Sequence, residues 1–297
     1  QPQRKKMIGT TAVGPQNTML SLFLPLVAAA VAVTVAKEDW PNGMGCVSEN
    51  ARDLPYCDVT LSVEERLSDL SSRLSREELV SRLQSNGMVP SVDRVGLPEF
   101  NYRVEAVHGL EAFCIDGKGD WCPTYFPIAQ GVAASFNRSV FENMGVVIGE
   151  EAKIWAQKHG LAKSSRPMGT SVRCPMINVI RDPRWGRADE APSEDPYLTG
   201  VFGYYATLGV QRQGNAAAEA KHFAAYDLET NADYQTDGRK GFDAQVTAFD
   251  WTDSYVVPFE MTIRDAKASS YMCSYNAVNG TPSCANSKLS SLAKDDW

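Results

Sequence analysis

The chain carries its densest group of chemically capable side chains between Arg181 and Gly200, a stretch that reads RDPRWGRADEAPSEDPYLTG. Three arginines, five carboxylates and Trp185 share this turn-rich segment. It follows an apolar run, Cys174–Ile180, that predicts a buried strand. Charges of both signs on a loop that a rigid strand positions favour a binding site over a core segment.

Three further polar groups each fall at the carboxyl end of a predicted strand: Glu105 with His108, Lys221 with His222 after the strand Ala216–Ala220, and Ser274–Asn276 after the strand Ala268–Cys273. In a parallel (β/α)₈ barrel the carboxyl ends of the strands converge on one mouth, where active sites are built. The sequence therefore predicts that these groups and the Arg181–Arg187 segment share one pocket.

Helical patterns separate these strands. The first begins at Leu61, contains a capping box at Ser75–Glu78 and stops at Asn86-Gly87. Three more helices are predicted: one after Asn137 that ends at Gly160, one from about Tyr197 to Gln213, and one near Asp250–Asp265 with a kink at Pro258. Strands that alternate with helices through short connections are typical of a parallel α/β fold. We predict a TIM-type (β/α)₈ barrel. A dinucleotide-binding doubly wound sheet is the weaker alternative, because no G-x-G-x-x-G opens a helix.

Composition limits the classes of partner and cofactor. The 297 residues are 43% hydrophobic, which is enough for one large core or two modest ones. A net charge of -7 argues against nucleic acid or an anionic membrane as the main partner. Only three histidines and no CxxC pair are present, so a zinc site is not expected.

Residues 1–36 resemble a leader. Met19–Ala36 is uncharged and mostly apolar, and Arg4, Lys5 and Lys6 precede it. We predict a cleaved secretory signal with its apolar core at 19–36, followed by a barrel domain over 37–297. The alternative is an uncleaved membrane anchor, since the apolar run is long for a signal core.

Secretion would make the seven cysteines interpretable, because disulfides persist in oxidising compartments. The pairs Cys46/Cys57 and Cys114/Cys122 are close enough in sequence to form bridges, but sequence alone does not assign the connectivity. The odd count leaves one thiol free or paired outside the chain. Asn137-Arg138-Ser139 is a candidate glycosylation site.

Five segments together resemble glycoside hydrolase family 3, and within it the secreted β-xylosidase branch. They are YRVEAVHGL (Tyr102–Leu110), FPIAQGVAASFN (Phe126–Asn137), INVIRDPRWGRADEAPSEDPYLTG (Ile177–Gly200), AKHFAAYDLE (Ala220–Glu229) and SYMCSYNAVNGTPSCAN (Ser270–Asn286). The resemblance implies an N-terminal (β/α)₈ barrel that an α/β sandwich domain follows. It also implies an exo-acting, retaining hydrolase that releases terminal xylose from β-1,4-xylo-oligosaccharides without a metal or organic cofactor.

The resemblance also implies site residues. Glu105, Arg187, Lys221 and His222 would bind the hydroxyls of the terminal sugar, and Tyr275 would support the nucleophile through a hydrogen bond. Carboxylates accept from sugar hydroxyls and cations donate to them, so the residue types suit this role. Each also has a structural alternative: Glu105 and Arg187 as an ion pair, and His222 and Tyr275 as core residues.

In relatives the nucleophilic aspartate is expected roughly ten residues beyond the position of Trp297, at the end of the next barrel strand. The general acid belongs to the following domain. The resemblance therefore implies a barrel that is incomplete at its C-terminal end and inactive alone. The resemblance also bears on the sugar, because glucose-active relatives usually carry Asp at the position of Glu105. The longer side chain of Glu105 would occupy the space that a hexose needs for its hydroxymethyl group, so a pentose is expected as the terminal sugar. The alternatives are a β-glucosidase, an α-L-arabinofuranosidase, or a non-catalytic carbohydrate-binding protein.

Overall fold

The structure, a computed structural model, describes residues 46, 48–83, 88–101, 103–111, 114, 122–163, 169–230 and 238–297. The predicted leader, the Asn86-Gly87 stop and Tyr102 lie outside these ranges. The chain divides between Glu38 and Asp39, and all described residues lie in the second unit, Asp39–Trp297. Among the described helices, none is long and apolar enough to cross a membrane.

Short helices and strands alternate along the second unit. The helices are α1 (Val63–Arg73), α2 (Arg76–Leu83), α3 (Ala129–Ala133), α4 (Arg138–Lys163), α5 (Pro196–Val210), α6 (Gly238–Gly241), α7 (Ala248–Asp250), α8 (Val257–Glu260) and α9 (Ser287–Ser291). Turns of π-helix, Trp251–Tyr255, Met261–Asp265 and Leu292–Asp296, follow α7, α8 and α9. The strands are β1 (Met88–Val89), β2 (Phe100–Asn101), β3 (Arg103–Glu105), β4 (Ser171–Arg173), β5 (Ala217–Phe223), β6 (Asp243–Ala244), β7 (Ser270–Cys273), β8 (Ala277–Val278) and β9 (Thr281–Pro282).

The central sheet has the order β3-β4-β5-β7, and every pair in it is parallel. Helices connect the strands, as a parallel sheet requires. This arrangement confirms the predicted α/β class. Within the described residues the sheet does not close, and β3 and β7 form its edges.

The two faces of this sheet differ in polarity because side chains alternate along a strand. Val104, Val172 and Ala218 lie on one face and join the hydrophobic core with Phe141 of α4 and Phe202 of α5. The charged residues of the same strands lie on the opposite face: Glu105, Arg173, Glu219 and Lys221. The sheet therefore separates the apolar layer from the candidate site.

Helices α4 and α5 pack closely because glycines line their contact. A Cβ atom added to Gly145 would overlap the Ala206 carbonyl oxygen, and one added to Gly209 would overlap the Glu142 carbonyl oxygen. The absence of these side chains lets the two backbones approach each other. The close packing holds α5 against the sheet. Helix α5 begins at Pro196, directly after residues 181–195, which we call the Arg181 loop.

The predicted strand Cys174–Ile180 is wrong in its boundaries, because the strand is β4 (Ser171–Arg173). The following residues are buried but irregular, and the Ile177 N–H donates to the Lys221 carbonyl over 2.9 Å. Pro175 has no N–H to continue the ladder. Hydrophobicity predicted the burial of this run correctly, but not its hydrogen bonding.

Other predicted boundaries shift by a few residues. Strand β5 extends to Phe223, so Lys221 and His222 belong to the strand itself. Helix α4 continues to Lys163 and passes the predicted end at Gly160. Pro258 lies in the first turn of α8, where a missing N–H is tolerated.

All seven cysteines are among the described residues, and six of them form three disulfides. Cys46–Cys57 and Cys114–Cys122 are the two pairs that sequence proximity suggested, and the third is Cys273–Cys284. The remaining cysteine, Cys174, is free and buried.

Candidate functional site

Glu105 at the end of β3 is held by two cations. Its Oε1 accepts from Arg173 Nη1 over 2.7 Å, and its Oε2 accepts from Lys221 Nζ over 2.9 Å. Burial alone would raise the pKa of Glu105, but attraction to Lys221 and Arg173 outweighs burial and lowers the pKa below its ordinary value. Glu105 is therefore an ionised acceptor at neutral pH.

A second carboxylate, Glu219, lies on the same face of the sheet. Its Oε1 is 3.5 Å from Arg173 Nε, and Ser171 Oγ donates to its Oε2 over 3.4 Å. Burial raises the pKa of Glu219, and the nearby charge of Glu105 adds to that effect. Arg173 thus lies between two carboxylates.

Arg187 and His222 lie beside this group. Together with Glu105, Arg173, Glu219, Lys221 and Tyr275 they form the cluster that we treat as the candidate site. Arg187 donates to both carboxylate oxygens of Glu190, from Nε over 2.5 Å and from Nη2 over 2.6 Å. Its Nη1 lies 3.5 Å from His222 Nε2. Because a guanidinium only donates, we assign His222 Nε2 as the acceptor and Nδ1 as the protonated nitrogen.

His222 is a neutral imidazole. Burial lowers its pKa well below 6.5, and the positive charges of Lys221 and Arg187 act in the same direction. Its buried Nδ1 has no hydrogen-bond partner among the described residues. The ring therefore offers no charge of its own to the cluster.

Aromatic rings enclose His222. Its ring centroid lies 5.0 Å from that of Tyr226 and 5.5 Å from that of Tyr275. The guanidinium of Arg239 lies 4.3 Å from the Tyr275 ring centroid, which is a favourable cation–π position. Trp185 is buried and packs edge-on against Tyr226 at 5.4 Å. Trp185 thus packs against the segment that follows β5.

The turn that carries Tyr275 is tightly fixed. The disulfide Cys273–Cys284 closes it at its base. Ser274 Oγ donates to the Ala224 carbonyl over 2.8 Å, and Asn276 Nδ2 donates to the Ala225 carbonyl over 3.2 Å. Both side chains are buried. Tyr275 is therefore held next to the end of β5.

The cluster combines a fixed anionic acceptor with cationic donors around a neutral ring. This combination suits a neutral ligand with several hydroxyl groups, which both donate and accept. Among the residues that the structure describes, no group of three or more His, Cys, Asp or Glu side chains is placed to hold a metal ion.

Residues 94–297 match the family described as "Glycosyl hydrolase family 3 N terminal domain". The match includes all four strands of the central sheet and every residue of the cluster. The chain belongs to glycosyl hydrolase family 3. Its fold is α/β, of the TIM-barrel type of this family's N-terminal domain.

Named relatives of this family 3 chain are xylosidases of plants and fungi. It is 33% identical to probable beta-D-xylosidase 6 of Arabidopsis thaliana, an alignment that covers 95% of this chain and 38% of that protein. It is 37% identical to an exo-1,4-beta-xylosidase of Emericella nidulans, with coverages of 85% and 31%. The chain thus spans about a third of the length of the curated relatives it matches.

Solved structures give the same family. A family 3 exo-beta-xylosidase in complex with a xylobiose aziridine activity-based probe superposes with a TM-score of 0.73 at 34% identity, covering 84% of this chain and 32% of that one. The beta-glucosidase of Kluyveromyces marxianus in complex with glucose superposes with a TM-score of 0.61 at 27% identity, covering 75% and 24%.

The structure brings the sequence-predicted residues of the family 3 chain together. Glu105 contacts Lys221, which precedes His222, and His222 lies next to Arg187 and Tyr275. The alternative of a Glu105–Arg187 ion pair is wrong, because each pairs with other residues.

Three carboxylates of the Arg181–Gly200 segment contact residues of that same segment. Asp182 pairs with Arg184, and Glu190 pairs with Arg187. Asp195 caps α5 by accepting from the Leu198 N–H over 2.6 Å. His108, which the sequence analysis grouped with Glu105, lies with its Nδ1 3.0 Å from the Phe126 carbonyl oxygen.

Sequence reasoning missed four residues that shape the cluster: Arg173, Glu190 as the partner of Arg187, Asn178 and Tyr226. Arg173 was hidden because the strand was predicted to begin after it. A charged residue directly before Cys174–Ile180 was the available signal.

Proposed function

We propose that this family 3 chain provides the sugar-binding part of an exo-acting, retaining β-xylosidase, which releases terminal xylose from β-1,4-xylo-oligosaccharides. The observation that carries the proposal is the Glu105 carboxylate, clamped on both oxygens beside Lys221, His222 and Arg187. The xylosidase names of the relatives in plants and fungi support it.

The proposed site works by fixing one sugar. Glu105 accepts from hydroxyl groups, and Lys221 and Arg187 donate to hydroxyl oxygens, so both properties of a hydroxyl are used. Binding a sugar rigidly before bond cleavage lowers the entropic part of the barrier. Tyr275 would hydrogen-bond the nucleophilic carboxylate and help keep it ionised.

Retaining hydrolysis also needs a nucleophile and a general acid about 5 Å apart. We assign neither role to Glu105, Glu190 or Glu219, because each carboxylate already pairs with an arginine or a lysine of the same cluster. The three carboxylates are supporting groups in this proposal.

There are three alternative functions, and observations on similar proteins favour two of them. A non-catalytic carbohydrate-binding protein would need the same cluster and no reactive carboxylates. A β-glucosidase has support from the superposition on a structure that holds glucose. An α-L-arabinofuranosidase has support from a relative in Medicago sativa that is named for both activities, at 37% identity.

We also propose that the protein is secreted and glycosylated. The three disulfides support maturation in an oxidising compartment. Asn137 is exposed at the start of α4, where a glycan has room. Retention on a membrane by an uncleaved leader is the alternative.

The test is xylose binding by the full chain, measured by calorimetry, together with hydrolysis of nitrophenyl β-xyloside. We expect xylose to bind, and Glu105→Gln to weaken binding at least about tenfold. Glu111→Gln, which changes an exposed carboxylate nearby, is the matched control and should bind normally. No xylose binding would refute the proposed site. Tighter binding of glucose would favour the β-glucosidase. Binding without turnover, even when the chain is extended through a second domain, would favour the non-catalytic protein.

A further inference from the structure

Arg173 lies between two carboxylates on the charged face of the sheet, opposite the hydrophobic core. It ends β4 and is the direct register partner of Glu105 on β3. Its Nη1 donates to Glu105 over 2.7 Å, and its Nε lies 3.5 Å from Glu219.

Lys221 alone would hold only one oxygen of Glu105. The terminal torsion of a glutamate is broad, so a carboxylate held at one oxygen can rotate about its last bond. The second contact, from Arg173 to the other oxygen, fixes the plane of the carboxylate. The direction of its remaining lone pairs is then fixed as well.

The clamp leaves the outer edge of Glu105 open. An ionised carboxylate has about four acceptor positions, and the two cations use one on each oxygen. The Glu105 side chain is 36% exposed, whereas Arg173 is 18% and Lys221 is 3% exposed. Glu105 is therefore the member that faces solvent, with one acceptor position on each oxygen.

We propose that Arg173 is a positioning residue for sugar recognition, which orients Glu105 so that its outer edge accepts from two adjacent hydroxyls of a pyranose. Glu219 lies on the other side of Arg173, with its Oε1 in an ion pair 3.5 Å from Arg173 Nε. This inference rests on the proposed function, because it assumes that Glu105 binds the sugar. The ligand feature it selects is a pair of neighbouring hydroxyls.

The experiment compares xylose with its monodeoxy analogues, each of which lacks one hydroxyl, using calorimetry on the full chain. In the wild type we expect loss of either hydroxyl of the recognised pair to weaken binding at least about tenfold. In Arg173→Met that penalty shrinks to about threefold or less, because the carboxylate no longer holds one orientation. Glu219→Gln should show the same pattern with a smaller change.

Arg173→Lys is the second variant, since it keeps the charge and loses the planar fork that can reach two carboxylates. This variant should show a smaller loss of affinity for the monodeoxy analogues than the wild type does. Circular dichroism should show that it remains folded. Arg103→Met is the matched control, because Arg103 lies on the same strand as Glu105, two residues before it. It should keep the wild-type penalties.

The outcomes separate this inference from the proposed function. If the wild type binds no xylose, the proposed function fails. If the wild type binds xylose and the Arg173 variants keep the full deoxy penalties, the positioning role is overturned and the sugar site stands. Equal weakening of every sugar, together with a lower melting temperature, would show a purely structural role and would also overturn the inference.

Discussion

The side-chain amide of Asn178 hydrogen-bonds to both backbone groups of His222. Asn178 Nδ2 donates to the His222 carbonyl, and Asn178 Oδ1 accepts from the His222 N–H, each over 2.9 Å. Both residues are buried. Asn178 lies in the irregular stretch after β4, which leads into the loop that carries Arg187. The amide therefore ties β5 to that loop.

We predict that Asn178→Asp lowers the free energy of unfolding by about 2–3 kcal/mol, because it replaces the donor with an oxygen that faces the buried His222 carbonyl. Chemical denaturation followed by circular dichroism measures the change. Asn279→Asp is the control. Asn279 binds the Val246 backbone in the same two-bond manner but is exposed, so its loss should be under about 1 kcal/mol. Equal losses at the two positions would contradict this account.

Shortening Glu105 should change sugar preference. In the chain extended to an active enzyme, we expect Glu105→Asp to lower the ratio of xyloside to glucoside hydrolysis by about tenfold, because it vacates space that a hydroxymethyl group needs. Rates on the two nitrophenyl glycosides give this ratio. Glu99→Asp, an exposed substitution, should leave it unchanged. A wild-type preference for the glucoside would show that the pentose assignment is wrong.

His222 should make stability depend on pH. Its folded pKa lies well below 6.5, so the unfolded chain takes up a proton before the folded one does. The free energy of unfolding therefore falls as the pH drops below 6.5, by up to about 1.4 kcal/mol per pH unit from this residue. In His222→Gln, denaturation curves between pH 6.5 and about pH 5 should show a shallower decline. An unchanged slope would mean that His222 protonates in the folded state.

The contact between α4 and α5 should not tolerate a methyl group. We predict that Gly145→Ala lowers the free energy of unfolding by about 1–3 kcal/mol, because the new Cβ would overlap the Ala206 carbonyl and the helices must move apart. Gly241→Ala, which meets no atom within 4 Å, is the control. Thermal melts of the two variants make the comparison. A stable Gly145→Ala protein would mean that the helices shift at little cost.

The sequence predicted the parts of the site that follow from local pattern. Lys221-His222 follows a short apolar strand, and parallel strands bring their carboxyl ends to the same edge, so convergence of these residues with Glu105 was predictable. The α/β class followed from the alternation of strands and helices. Asp195 directly precedes Pro196, the first residue of α5, and this order of residues suits a helix cap.

The missed parts depend on contacts between distant positions. Arg173 meets Glu105 across 68 residues, and no local pattern encodes their register. The boundaries of β4 were wrong because periodicity reports burial, and a buried irregular stretch looks like a strand when it is short. Tyr226 reaches His222 from the turn after β5, a geometry that hydrophobicity alone does not specify.

The disulfides bear on how the protein can be made. Each of the three joins cysteines only 8 or 11 residues apart, so both partners leave the ribosome almost together and each bridge can close before later cysteines are synthesised. Cys174 is the exception, because it has no nearby partner and is sheltered only once the sheet has formed. Production through an oxidising secretory route therefore suits the chain better than a reducing cytosol, and slow folding there would leave Cys174 as the thiol most open to mispairing.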